Sequence, residues 1–452
     1  MTAAGSRPYR LSLGPGLEPF RPELEFACRF LDRAHPVARS DRAETVLHYG
    51  PGTPAGAVEV PALVFPDAVR LDGDGIHPDF AGLARIEERE EAPRLLPPRE
   101  AWTGRAAGDG GPGAGAAIGY DALGLVFLLL SRLEERGNPA NATERYRRFP
   151  IEASLLHRRA RVDVPLADIA ARDLAAALLG TPDPPSRTGY RAWLTHDVDR
   201  LRGYHYPTQP LKLAAGDVIF RRDPLLAVKR LGKAVMPGEP WRSTRQIMDL
   251  SERHGLTSRF YFMGPTRASS DSPYLLREPG TVRRLADEIA ARGHVLGFHP
   301  GFRTRRDPEE WRRQKEGLEA VIGRPVAEGR HHGMLFDAET TWDMWDDAGM
   351  VMDASIGFPG RSGFPTGTCR SHPTYSLKRR RTLDLVEYPS NILDFGFFGG
   401  RYRDLGLDEA LAEAQGIVDT CRAIGGDLVI LFHTSQPSGL VKRFYERLLE
   451  RL

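Results

Sequence analysis

The chain has 452 residues, 41% of them hydrophobic and 27% charged, an ordinary balance for a soluble globular protein and long enough that two domains are expected. Its 62 basic and 60 acidic residues leave a formal charge of +2, so no surplus marks nucleic acid or an anionic membrane as a partner. The local run Lys378-Arg379-Arg380-Arg381 is read as a solvated loop.

Along the first part of the chain, Arg7, Arg10, Pro15 and Pro19 interrupt the apolar residues, so the apolar core of a secretory signal is missing and the cytoplasm is the expected compartment. Glu59 to Phe65 reads as a strand. Gly104 to Ala117 is rich in glycine and alanine, and a helix apolar over most of its circumference follows from about Tyr120 to Glu135. Its apolar run, Leu123 to Leu130, is shorter than the roughly 20 residues of a membrane span, so no transmembrane segment is expected. Asp121, Arg132, Glu134 and Glu135 could line a surface, but no acid, base or ligand cluster stands out here. Asn141-Ala142-Thr143 fits a glycosylation sequon that has no meaning without export. Pro182, Pro184 and Pro185 mark the better domain boundary, which gives a smaller α/β domain over residues 1–186 and a second domain over 187–452. Cys28, Cys369 and Cys421 lack C-x-x-C spacing and are read as buried free thiols.

After Arg191, short apolar strands alternate with amphipathic helices, the pattern of a parallel sheet or barrel with helical crossovers. The expected strands are Ala192 to Thr195, Arg259 to Met263, Val295 to His299, Val326 to His332, Val351 to Ile356, Leu385 to Pro389 and Leu428 to His433. Thr281 to Arg292 reads as a helix stopped by Gly293, and Asp337 is expected to cap a helix ending at Gly349. In the last stretch Leu407, Leu411, Ala414, Ile417, Val418, Cys421 and Ile424 fall on one helical face.

Ligands bind beyond the carboxyl ends of parallel strands, so polar residues there carry weight. In Thr195-His196-Asp197-Val198-Asp199 the period-two alternation of a strand sends both carboxylates to one side, which suits one metal ligand beside one general base, or else a turn cap. Gly293-His294-Val295-Leu296-Gly297-Phe298-His299 and Arg330-His331-His332 bring histidines to two further ends. Adjacent strand residues face opposite ways, so His331 and His332 should not both enter one site. Leu428 to Phe432 delivers His433 after five apolar residues, where a catalytic acid could sit.

In order and spacing these pieces resemble the polysaccharide deacetylase family over about Arg191 to Ser435, which implies a distorted (β/α) barrel preceded here by the smaller α/β domain. The resemblance implies a metal-dependent hydrolase, with zinc the expected ion, that removes an N-acetyl group from a carbohydrate. By the same resemblance Asp197 is the base, Asp199 and His299 are metal ligands, Arg330 holds Asp197, His433 is the acid, Asp394 tunes it and His294 is structural. The family's second histidine ligand lies four residues after the first, where this chain has Arg303, so His332 is expected to replace it, with His331 as the fallback. A bacterial subgroup with longer N-terminal regions also resembles this chain around Tyr120-Asp121-Ala122-Leu123-Gly124 and Ser131-Arg132-Leu133-Glu134-Glu135. Two other readings stand beside this one: a hydrolase of a non-sugar amide, and a glycan-binding or assembly protein whose metal site has decayed. A carboxylate-only glycosidase would leave the histidines unexplained. Phe298, Phe302, Trp342 and Phe395 are candidates for a sugar-stacking platform, or for barrel packing.

Overall fold

A computed structural model describes residues 6–89, 91–97, 118–142, 148–201, 209–219, 223–225, 227–228, 231, 242–268, 270–398, 403–434 and 439–452. The Gly/Ala-rich stretch 104–117, Thr143 of the sequon and Ser435 lie outside these residues. No helix among the described residues is long and apolar enough to cross a membrane.

The chain opens with a four-stranded parallel sheet of β1 (Arg7–Leu13), β2 (Val37–Arg39), β3 (Val46–Tyr49) and β4 (Val58–Val60), in the order β2-β1-β3-β4. The helix Arg21–Ala34 buries Leu24, Ala27, Cys28 and Leu31, the i, i+3, i+4, i+7 face of an amphipathic helix. The strand expected from Glu59 to Phe65 stops at Val60, and Val64–Asp67 turns into a short helix instead. Its first turn is held by Asp121, whose buried carboxylate accepts the backbone N–H groups of Leu63 and Val64 at 2.8 Å each. Asp121 also caps the helix Ala122–Leu130 through the N–H of Gly124, and all nine residues of that helix are buried. The longer helix expected to reach Glu135 breaks at Arg132, whose backbone is left-handed (φ 57°), and resumes as a 3-10 turn, Leu133–Glu135. β5 (Val69–Asp72) and β6 (Gly75–Pro78) then form an antiparallel hairpin.

The larger sheet contains β7 (Arg191–Val198), β8 (Ser258–Met263), β9 (Val295–His299), β10 (Glu328–Gly329), β11 (Met352–Asp353), β12 (His372–Ser376), β13 (Arg381–Glu387), β14 (Ile392–Leu393) and β15 (Asp427–Leu431). The order is β12-β13-β11-β10-β9-β8-β7-β15-β14, and every pairing is parallel except β12 with β13. The sheet is thus a curled half-barrel whose end strands, β12 and β14, do not pair with each other. β9 has the expected bounds, whereas β10 and β11 are only two residues long, against the expected Val326 to His332 and Val351 to Ile356. Helices Pro279–Ala291, Pro308–Ile322 and Leu407–Ile424 cover the sheet, the first ending at Ala291 before Gly293 (φ 78°). Asp337 does not cap the next helix, which runs Thr341–Asp347; its carboxylate instead accepts from Glu339 N and Arg306 in the preceding turn.

Apolar packing gathers into two large clusters, one drawn mainly from residues before 180 and one from residues after 190. Phe358, Tyr375 and Leu377 cross over to pack with the first. At this seam fully buried Glu23 accepts the Tyr375 hydroxyl at 2.7 Å and the Arg380 guanidinium at 2.9 Å. The Lys378 to Arg381 run is therefore more than a solvated loop: Arg380 ties the halves together and Arg379 pairs with Asp347 at 2.5 Å. All three cysteines are buried and free.

Candidate metal centre

The residues singled out at the strand ends converge at the carboxyl edge of the larger sheet. β7 carries Asp197 and leads directly into Asp199; β9 ends on His299 two strands away. The buried Nε2 of His299 lies 3.3 Å from Asp199 Oδ1 and 3.7 Å from Asp197 Oδ2. Its other nitrogen, Nδ1, is 2.6 Å from the carbonyl of Arg330 and donates to it, so Nε2 is the atom turned to the carboxylates; burial lowers this imidazole, but Asp197, Asp199 and the Arg330 carbonyl outweigh it and raise the ring above the ordinary range.

Arg330 follows β10, is fully buried, and donates from all three of its side-chain nitrogens. Nη1 donates to Asp197 Oδ1 at 2.8 Å, Nη2 to Thr195 Oγ1 at 2.7 Å and Ser390 Oγ at 3.1 Å, and Nε to the carbonyl of Ala354 at 2.9 Å. One oxygen of Asp197 is thereby held and the other is left toward His299 and His433. Burial pushes the Asp197 carboxyl up, but His299, Arg330 and His433 outweigh it and hold the group below the ordinary carboxylate range. Asp199 is likewise lowered against its burial, by His299, His332 and His433.

The two adjacent histidines part, although they lie beyond β10, in the approach to the 3-10 turn His332–Met334, and not in the strand expected to carry them. His331 is buried against Thr304 Oγ1 at 3.1 Å, and burial lowers its pKa to about 3, so it stays neutral and points away from the cluster. His332 turns inward: Nε2 is 3.8 Å from Asp199 Oδ1 and Nδ1 is 2.8 Å from Asp271 Oδ1. Position 303, by contrast, is exposed, in the 3-10 turn Phe302–Thr304.

Sequence reasoning missed Asp271. It lies 61 residues before His332 in the loop after β8, yet its buried carboxylate meets the ring and also accepts Phe302 N–H at 3.2 Å. Gly301 makes room for it, since a Cβ there would lie 2.5 Å from Asp271 Oδ2. The same strand-end rule that selects Asp197, His299 and His433 flags Asp271 when extended to the loop after β8.

On the opposite flank, His433 follows β15. Its Nδ1 lies 2.9 Å from Asp394 Oδ1, its backbone N–H donates to Asp394 Oδ2 at 2.8 Å, and Nε2 is 3.9 Å from both Asp197 Oδ2 and Asp199 Oδ2. Burial alone would lower this imidazole, but Asp394, Asp199 and Asp197 raise it to about 9. His294 stands apart, accepting the Ser258 N–H and facing Glu252. Of the four aromatic residues, Phe298 packs on Trp311 and Trp342 on Phe336 in the core, while Phe302 meets His332 at 4.4 Å and Phe395 meets His433 at 4.5 Å.

Asp199, His299 and His332 together present one carboxylate oxygen and two imidazole nitrogens, all within 4.8 Å of one another. Asp199 Oδ1 and His299 Nε2 are buried without a hydrogen-bond partner. Buried polar atoms are normally satisfied, and an N/O donor set left open in this way fits a divalent cation.

Residues 84–181 match a sequence family described as Family of unknown function (DUF7033). No curated protein matches the chain. Among solved structures, a candidate polysaccharide deacetylase from Mycobacterium smegmatis is similar at 16% identity and a TM-score of 0.39, over 59% of this chain and 84% of that one. A family 4 carbohydrate esterase from Streptomyces lividans, in complex with acetate, is similar at 12% identity and 0.28, over 46% of this chain and 81% of the other. A family 4 pseudoenzyme from Bacillus anthracis is similar at 9% identity and 0.30, over 58% and 60% respectively.

Proposed function

We propose that this protein is a metal-dependent hydrolase that removes the acetyl group from an amide-bearing sugar of a glycan or glycan precursor, with zinc as its ion. The observation that carries the reading is the cluster of Asp199, His299 and His332, whose donor atoms lie within 4.8 Å of one another, with an ionised carboxylate and a protonated imidazole on either flank. In this reading residues 187–452 hold the chemistry and residues 1–186 are an accessory domain.

Asp199, His299 and His332 would hold the ion, which would supply polarisation of an amide carbonyl and acidification of a water. Asp197 is the base. Its Oδ1 is occupied by Arg330, so a proton from the attacking water goes to Oδ2, the oxygen that faces the centre. His433 is the acid: Asp394 holds its Nδ1 and keeps the ring charged at neutral pH, so Nε2 can pass a proton to the departing amine nitrogen. Two titratable groups pushed to opposite protonation states in one site form the acid and base pair this chemistry needs.

The test is release of acetate from N-acetylated oligosaccharides by purified protein, with and without added zinc. Zinc-dependent acetate release that is lost in Asp197→Asn supports the reading. Release from simple amides but from no sugar would favour the non-sugar amidase, and no release by zinc-loaded protein from either class would favour a binding protein.

A further inference from the structure

Two acids outside the metal centre end strands at the same carboxyl edge of the larger sheet. Asp353 closes β11 and Glu387 closes β13, and the two residues are partners in the parallel register of those strands. Both are fully buried. Asp353 Oδ1 accepts the backbone N–H of Ser355 at 2.9 Å and also its hydroxyl. Glu387 Oε1 accepts the Ile356 N–H at 3.1 Å, and Oε2 accepts the Trp342 indole N–H at 3.2 Å. Asp353 Oδ2 is buried with no such donor. The two carboxyl groups lie within hydrogen-bonding reach of each other, so a proton on Glu387 supplies the donor that Oδ2 lacks.

The cations that act on the pair are already committed elsewhere. Arg330, near Asp353, is held by Asp197 at 2.8 Å, and Arg132, near Glu387, by Glu135 at 2.5 Å. His372, the register partner of Glu387 on β12, stays neutral because burial lowers its pKa to about 4. Burial and the neighbouring Asp353 push the Glu387 carboxyl well above the ordinary range. Burial raises Asp353 only to about 6, because Ser355 and Arg330 favour its charged form.

We infer that Asp353 and Glu387 share one proton and are positioning residues for Arg330, and through it for Asp197. The pair fastens both ends of one short segment: Asp353 begins it, and Glu387 holds the Ile356 N–H at its end. Between these ends the Ala354 carbonyl accepts Arg330 Nε at 2.9 Å, and Ser355 Oγ accepts the His331 N–H at 2.9 Å. Arg330 then reaches Asp197 Oδ1. Loss of the shared proton would set two like charges side by side at the segment that carries the Ala354 carbonyl, so the hold on the guanidinium depends on that proton.

The role of Asp197 as base rests on the proposed hydrolase reading, but the pair itself is tested without turnover. Wild type, Glu387→Gln and Glu387→Ala are compared at neutral pH by infrared spectroscopy, for the carbonyl stretch of a protonated carboxyl, and by NMR, for exchange of the Arg330 Nε proton. Thermal unfolding is the fold control. The expected result is a protonated-carboxyl band in the wild type that is missing from Glu387→Gln, whose amide takes over the donation to Asp353. The Arg330 proton should exchange slowly in both and about tenfold or more faster in Glu387→Ala. In acetate release, Glu387→Gln should keep the wild-type kcat, and Glu387→Ala should lose about ten- to a hundredfold in kcat with KM unchanged. A band absent from the wild type or unchanged in Glu387→Gln, an Arg330 proton as slow in folded Glu387→Ala as in the wild type, or a kcat untouched by that variant would each overturn the inference. If Glu387→Ala does not fold, Ser355→Ala, which cuts the same segment from Asp353, is read in its place. If band and exchange behave as stated while the wild type releases no acetate, the shared proton and its hold on Arg330 stand and the hydrolase reading falls.

Discussion

Arg330 Nη1 donates to Asp197 Oδ1 at 2.8 Å, with the two side chains 0% and 3% exposed. This contact spans 133 residues of sequence and decides which oxygen of the carboxylate is available for chemistry. Arg330→Ala leaves a buried carboxylate facing a void, and a loss of about 3–5 kcal/mol is expected. Denaturant unfolding measures it, and because the residues act as a pair, adding Asp197→Ala should cost far less than the two single losses summed.

Asp271 grips the Nδ1 of His332 and so aims its Nε2 at the centre. Carboxylates of this kind typically govern metal affinity by 10–100-fold. Asp271→Ala is expected to weaken zinc binding by about that factor in a chelator competition while the protein stays folded. Gly301→Ala should act in the same direction, since the added Cβ would press on the same carboxylate.

The neighbouring histidines should separate cleanly. His332→Ala removes a donor from the cluster and is expected to abolish stoichiometric zinc binding. His331→Gln should keep zinc and lose only stability, because His331 is packed against Thr304 away from the centre. Zinc content of the two variants, measured side by side, checks this.

The raised His433 sets a pH signature. A group whose folded pKa of about 9 exceeds an unfolded value of about 6.5 adds stability that is complete below the lower value and fades as pH rises through the upper one. Unfolding of the metal-free protein should therefore show stability falling across that window. In Asp394→Asn the fall should shrink, and NMR titration should find the imidazole shifted down.

Strand periodicity placed all three strands that deliver site residues but fixed the end of β9 alone: β7 runs three residues past Thr195 to Val198, and β15 stops at Leu431, two residues before His433. His331 and His332 do part, but not by strand alternation, because the strand that was to carry them is only Glu328–Gly329 and both lie beyond it. Asp271 was hidden because its partner is a tertiary one: nothing local to its loop points to a histidine 61 residues on. β12, β14 and the break at Arg132 escaped for a related reason. Their backbone is set by neighbours, Arg132 by Glu135 and the carbonyl of Pro365, and not by local propensity.

The most direct test of the account is the metal content of the purified protein and of Asp199→Ala and His299→Ala, by elemental analysis after incubation with zinc and removal of the excess. The account predicts about one zinc per chain in the wild type and little in either variant. A folded wild type that holds no metal and cannot be loaded would contradict it.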